Sequence, residues 1–174
     1  DVTRIKNNDG QAVAYTYDGL GRKKELRDPV MGRWTYSYDA EDLVAQTDNR
    51  NKTVSFDYDS EGRVKSKSSG EAIAYVYDQQ LKGTLSEIHG TVRKKYTYDQ
   101  RKRVVQDDVI IDGQTFTTTT EYNAADKVTK RQYPNGQTAL FSYDSVGRVS
   151  AISSVLNSIT YNAFNRPIRR VYPS

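Results

Sequence analysis

Hydrophobic and polar positions alternate along this chain in short runs that end at an aromatic. Val13, Tyr15 and Tyr17 alternate with Ala14 and Thr16, and Trp34, Tyr36 and Tyr38 with Thr35 and Ser37. Val54, Phe56 and Tyr58 do the same against Ser55 and Asp57. A period of two built from aromatic and β-branched residues predicts strands with one adhesive face. The terminal aromatic returns as Tyr17, Tyr38, Tyr58, Tyr77, Tyr98, Tyr122, Tyr143 and Tyr161, at spacings of 21, 20, 19, 21, 24, 21 and 18. So regular a period marks a repeat architecture.

An acid or amide follows each of these tyrosines: Asp18, Asp39, Asp59, Asp78, Asp99, Asn123, Asp144 and Asn162. Such a side chain accepts a hydrogen bond from the backbone two residues on and closes an Asx turn. Four residues after the Tyr stands Gly21, Asp42, Gly62, Leu81, Lys102, Asp126, Gly147 or Asn165, mostly types that tolerate a left-handed backbone. Arg or Lys then opens the outgoing strand in seven units, as at Arg22, Arg63, Arg103, Arg148 and Arg166. Midway between tyrosines lie further reversal signals: Asp9-Gly10, Met31-Gly32, Ser69-Gly70, His89-Gly90, Asp112-Gly113 and Asn135-Gly136, with Asn51 and Asn157 as weaker equivalents. Two reversals per unit give two strands per unit. The expected fold is therefore all-β: an antiparallel meander of about 16 strands in eight units, roughly 75 Å wide. A sheet that wide is expected to curve into an open, hollow wall.

Composition sharpens this picture. Mean hydropathy is -0.82, and Leu, Ile, Val and Phe make up 35 of 174 residues, a thin supply for a packed core and close to the level of disordered chains. Against disorder, 12 of the 14 tyrosines are placed by the repeat alone. The net charge of +4 is spread along the chain, so it assigns no nucleic-acid or membrane partner. With no cysteine there is neither a disulfide framework nor a thiolate metal site, which fits a bacterial protein. No apolar run is long enough to span a membrane.

The segments "YDGLGR", "YDSEGRV" and "YDSVGRV", with "YPNGQTALFSYDSVGRV" as a nearly complete unit, resemble the YD repeats of Rhs proteins. These are similar to repeats in the shells of Tc toxins and, more distantly, in wall-associated bacterial proteins and teneurins. The resemblance spans residues 1–174 as a single array. It implies a spiral β-sheet that winds into a hollow shell around a C-terminal effector. The motif carries over in full onto Tyr17, Asp18, Gly21 and Arg22, onto Tyr58, Asp59, Gly62 and Arg63, and onto Tyr143, Asp144, Gly147 and Arg148. It carries over in part onto Tyr38-Asp39, Tyr77-Asp78, Tyr98-Asp99 with Arg103, Tyr122-Asn123, and Tyr161-Asn162 with Arg166. Nothing here resembles the self-cleaving aspartyl segment of such shells, and eight units are fewer than a closed shell needs. A wall section is expected, with no autoproteolysis.

Candidate chemistry is weak beside this. A general acid needs an apolar pocket and a paired partner, whereas each repeat acid falls in an expected turn. "DYDSEG" from Asp57 imitates the opening of an EF-hand, but its twelfth position is Ser68 instead of Glu. His89, the one histidine, precedes a turn glycine and reads as an exposed loop residue without metal or nucleophile. Aromatics interleaved with basic residues suggest a single-strand nucleic-acid platform, but the Tyr face is already needed for strand pairing. The reading is a non-enzyme that needs no cofactor or metal. It is expected to be a shell segment of a secreted or cell-surface bacterial toxin, whose partners are the rest of the shell and an enclosed polypeptide. The alternative is a cell-surface module binding glycan or a partner protein.

Both ends suggest an excised fragment. The opening "DVTRIKNNDG" has neither an initiator Met nor a signal core, and the closing "RVYPS" repeats the start of "QYPNGQ" and stops. A ninth repeat Tyr is expected roughly ten residues past Tyr172, and the last strand is expected to offer an edge for self-pairing.

Overall fold

The computed structural model describes residues 3–6, 10 and 12–173, all of them in strands, turns and loops. The chain divides between Val76 and Tyr77 into two compact units. The first holds β1 (Arg4–Lys6), β2 (Ala12–Tyr17), β3 (Lys23–Asp28), β4 (Gly32–Asp39), β5 (Asp42–Thr47), β6 (Thr53–Tyr58) and β7 (Val64–Ser69), with β8 (Glu71–Tyr77) running to the boundary. The second holds β9 (Leu85–His89), β10 (Arg93–Tyr98), β11 (Val104–Ile111), β12 (Gln114–Tyr122), β13 (Val128–Gln132), β14 (Thr138–Tyr143), β15 (Val149–Ile152), β16 (Ser158–Tyr161) and β17 (Pro167–Val171). Among the described residues no helix is long and apolar enough to cross a membrane.

Within each unit the topology is an antiparallel meander. β1 to β8 pair in sequence order, as do β9 to β15, while β16 and β17 form their own hairpin. Neither ladder closes on itself. The alternation expected from the sequence sets the register: Tyr15 lies opposite Leu26, and Leu26 opposite Trp34. In seven units the pairing then slips by one residue at the repeat Tyr, as where Thr16 faces Glu25 but Tyr17 faces Lys23. Each slip is a β-bulge that adds local twist at the same point of each repeat.

One turn explains most of these bulges. The Asp18 N–H donates to the Arg22 carbonyl at 2.9 Å, the Gly21 N–H donates to the Asp18 carbonyl at 3.0 Å, and Gly21 is left-handed with φ 77°. That is a three-residue hairpin loop: a type I turn followed by a left-handed residue. The same bonds recur from Asp59, Asp99, Asn123, Asp144 and Asn162, with Gly62, Lys102, Asp126, Gly147 and Asn165 in the left-handed position. Two midway reversals use it as well, from Asp48 with Asn51 and from Tyr133 with Gly136.

Elsewhere the sequence expectation needs correction. Asp39 ends strand β4 directly opposite Asp42, leaving a two-residue loop in which Ala40, not Asp42, is left-handed (φ 47°). Without a Gly or Asn ahead of a basic residue, "DAEDLV" takes the shorter route. In "YDQQLKGT" the loop is longer, and Asp78 (φ 65°) and Gly83 (φ 79°) are left-handed in place of Leu81. The reversal expected at Asn157 occurs earlier, around Ser154 (φ 60°), with Ile152 bridging Leu156, while the Asn157 N–H donates to Val171. Gly90 takes part in a reversal without being left-handed. Of the expected Asp9-Gly10 turn, Asp9 is outside the described residues, as is the terminal Ser174.

Burial is sparse. Among the described residues the buried apolar side chains are Leu26, Ala139 and Leu156. Apolar burial this thin leaves most of the cohesion to backbone ladders and cross-strand side chains.

A Cβ at Gly62 would meet no atom within 4 Å, so any cost of substitution there comes from the backbone. Gly62→Val is therefore expected to cost more than about 1 kcal/mol in a thermal or denaturant melt, while Gly62→Asn, which tolerates this conformation, costs far less. Equal melting of the two variants would show that the left-handed turn is not what Gly62 supplies.

Candidate functional site

The groups most open to a chemical reading are the repeat carboxylates, and Asp18, Asp59, Asp99 and Asp144 are each engaged within the turn. Asp18 Oδ1 accepts from the Leu20 N–H at 3.0 Å and the Arg22 N–H at 2.9 Å. Asp59, Asp99 and Asp144 accept from the equivalent pairs, and the amides of Asn123 and Asn162 do the same through Oδ1. The second oxygen of each acid takes the arginine four residues on: Arg22 Nε lies 2.7 Å from Asp18 Oδ2, Arg63 Nε 2.8 Å from Asp59, Arg103 Nε 2.7 Å from Asp99 and Arg148 Nε 2.6 Å from Asp144. The backbone bond from the following arginine is the main influence holding Asp18 and Asp144 below the ordinary carboxylate range, and the guanidinium bond is the main one for Asp59 and Asp99. A carboxylate so held is a poor general acid or base near neutrality.

The arginine also reaches forward to the next unit. Arg22 stacks over the Tyr38 ring at 4.7 Å, Arg103 over Tyr122 at 4.6 Å and Arg148 over Tyr161 at 4.5 Å. Lys127, which follows the neutral Asn123, lies 5.2 Å from the Tyr143 ring. The same cations bond the next turn: Arg22 to the Ala40 carbonyl, Lys127 to the Gly147 carbonyl, Arg148 Nη1 to Asn165 Oδ1 at 2.8 Å, and Arg103 Nη1 to Asp126 Oδ1 at 2.6 Å.

The tyrosine completes the contact. Tyr38 Oη donates to the Lys23 carbonyl at 2.9 Å, Tyr58 to Leu43 at 2.9 Å, Tyr98 to Leu85 at 2.7 Å, Tyr122 to Val104 at 2.9 Å, Tyr143 to Val128 at 2.7 Å and Tyr161 to Val149 at 2.8 Å. Each acceptor stands at the start of the preceding outgoing strand. Burial raises the Tyr98 phenol above its usual value, keeping it in the neutral form that donates. Acid, arginine and the next tyrosine thus form a latch that repeats along the turn edge.

Among the residues singled out in the sequence, Tyr17, Asp18, Gly21 and Arg22, Tyr58, Asp59, Gly62 and Arg63, and Tyr143, Asp144, Gly147 and Arg148 stand in complete turns. Tyr98, Asp99 and Arg103 join them, with Lys102 in the glycine position. Asn162 bonds the Arg166 backbone, and Asp39 and Asp78 are the departures described above. Asp57 and Asp59 of the EF-hand-like stretch are drawn to Lys65 and Arg63 respectively. Among the described residues no group of three or more His, Cys, Asp or Glu could hold a metal ion.

His89 requires a correction. It ends strand β9, and its Nε2 lies 2.6 Å from Oε2 of the buried Glu87, which Arg93 also reaches at 2.6 Å. The bond from Arg93, followed by that from His89, lowers the Glu87 carboxyl. The missed signal is "EIH": alternation puts Glu87 and His89 on one face. Asp48 was missed for a related reason. "DNRNK" carries the Asx turn without a preceding tyrosine, and Asp48 accepts from the Arg50 and Lys52 N–H groups at 2.9 Å each.

No protein-family profile matches the chain, and no curated protein matches it. Solved structures do. The chain superposes on TcdB2-TccC3 without its hypervariable C-terminal region with a TM-score of 0.77 and 13% identity, covering 97% of this chain and 11% of that one. For a TcdB2-TccC3-Cdc42 structure the TM-score is 0.76 at 14% identity, covering 96% and 11%. For a Tc holotoxin pore from Photorhabdus luminescens it is 0.62 at 13%, covering 97% and 12%. At such identity the likeness is one of fold, and the chain spans about a ninth of the length of the first two.

Two outcomes test the latch. Tyr122→Phe removes one phenol donor and leaves the ring under Arg103, so it is expected to cost about 1 kcal/mol in a denaturant melt. The pH dependence follows from the lowered carboxyls of Asp18, Asp59, Asp99 and Asp144. A carboxyl depressed on folding contributes stability that is fully present above its unfolded value, about 3.9, and is lost as pH falls through the lower folded value. The melting temperature is therefore expected to hold from pH 7 to about pH 5 and to drop below about pH 4, and a scan that stays level to pH 2 would contradict it.

Proposed function

We propose that this chain is a non-catalytic wall section of a toxin-type β-shell, a single repeat array across both units, whose work is to enclose a polypeptide. The observation that carries the reading is the latch. Its acids, cations and phenols are spent on joining one unit to the next, which suits a structure built by repetition and leaves the repeat motif no reactive group. The fold likeness to the TcdB2-TccC3 assembly supports the same reading. One of those structures is described as lacking a hypervariable C-terminal region, the kind of segment a shell would hold. On this reading the chain's partners are the remaining shell and the enclosed polypeptide, and the whole acts outside the cell that makes it.

The test uses the longer polypeptide that this reading requires. Its segment beyond the repeats is expected to survive trypsin while the wall is intact. It should become several-fold more sensitive when Arg103→Gly and Arg148→Gly open two latches without unfolding the strands, as followed by circular dichroism. Equal digestion before and after would overturn enclosure. Retention on immobilised glycan with no protection of any segment would favour the cell-surface alternative.

A further inference from the structure

The carboxylates of Asp18, Asp59, Asp99 and Asp144 are bonded within their turns, but one strand face of the second unit carries polar groups that are not. Asp107, on β11, lies opposite Tyr96 and Thr118; Arg131, on β13, lies opposite Thr120 and Ala139. Thr118 and Thr120 are two apart on β12 and so share a face, which places Asp107 and Arg131 on that face from either side of the strand. Asp107 Oδ1 and Arg131 Nε are buried there without a hydrogen-bond partner. A folded protein seldom leaves such groups unpaired, and unpaired ones ask for an explanation.

Both residues line one depression of about 320 Å³ with Thr118, Thr120, Tyr122 and Tyr133. Tyr133 is also a wall of a neighbouring depression of about 540 Å³, which Phe116 and Pro134 line with mainly apolar surface. Phe116 and Tyr133 are each about 40% exposed, at 40% and 41%. A polar pocket with an idle acceptor and an idle donor therefore adjoins an apolar shelf.

We propose that this composite depression docks one extended polypeptide segment. A large apolar side chain rests on Phe116, Tyr133 and Pro134, while Asp107 turns to accept from a peptide N–H and Arg131 turns to donate to a peptide carbonyl. Charge complementarity selects this occupant. One carboxylate and one guanidinium leave the pocket neutral, which disfavours phosphate or carboxylate ligands, and a peptide group supplies one donor and one acceptor. A sugar also supplies both, but has no large apolar group to fill the shelf. The enclosure reading supplies the natural source of the segment, and the inference rests on it for that alone.

The test is fluorescence anisotropy on the whole chain with a labelled Gly-Ser decapeptide carrying one Phe. An all-Gly-Ser decapeptide and unlabelled maltoheptaose as competitor serve as controls. The Phe peptide is expected to bind, and Asp107→Leu, Arg131→Met and the surface change Phe116→Ser each to weaken it at least tenfold. The melting temperature of each variant is followed alongside, so that a loss of binding in a folded protein is told from a loss of the fold. Undiminished binding in the variants, or loss of binding only together with a lowered melting temperature, would overturn the proposal, as would displacement by maltoheptaose. A longer polypeptide that shields its cargo from trypsin while the Phe peptide fails to bind would defeat the docking site and spare enclosure; binding without shielding would do the reverse.

Discussion

A phenol bonded to a backbone carbonyl, under a guanidinium that is itself held by a carboxylate, is the contact on which this fold depends. Within each compact unit the meander has no second layer to press its strands into register, and only Leu26, Ala139 and Leu156 are buried apolar side chains among the described residues. Backbone ladders alone would tolerate slippage. The tyrosine prevents it, because its hydroxyl finds its acceptor at one place: the Val104 carbonyl for Tyr122, the Val128 carbonyl for Tyr143. Within each compact unit one repeat therefore sets the register of the next, as in other repeat systems whose cohesion passes between nearest neighbours.

The bulge and the latch serve each other. Asp99 and Lys102 close a turn whose left-handed residue displaces the ladder by one position, and that displacement brings Tyr98 opposite Val104. Lys102 in a place usually given to glycine shows that the surrounding bonds outweigh the strain of a side chain there. The acid has a double duty that glycine could not share: one oxygen orders the backbone, and the other orients the arginine.

Much of this was legible in the sequence. Alternation ending at Tyr17 or Tyr58 gave the strands, and Asp-x-x-Gly-Arg gave the turn, because both rest on residues within five positions of one another. The forward reach of Arg22 to Tyr38 was not legible, since it joins residues 16 apart through a register fixed only by the bulge. Local departures misled for physical reasons. Asp42 was assigned the left-handed site by counting, yet the pairing of Asp39 with Asp42 shortens the loop and shifts the strain to Ala40. Asn157 carried a turn composition but was drawn into a bond with Val171, and the reversal moved to Ser154. The pairing of His89 with Glu87 was within reach of the sequence, since residues two apart on a strand share a face.

The long loop after Tyr77 has a consequence of its own. From Tyr77 to Leu85 is eight residues where Tyr17 to Lys23 is six, yet Tyr98 still meets the Leu85 carbonyl at 2.7 Å. The extra length is absorbed at the rim and does not travel into the strands that follow. Such a rim is a natural margin for sequence drift: insertions can accumulate there, differ from repeat to repeat and acquire new surface chemistry, while the woven interior keeps its spacing.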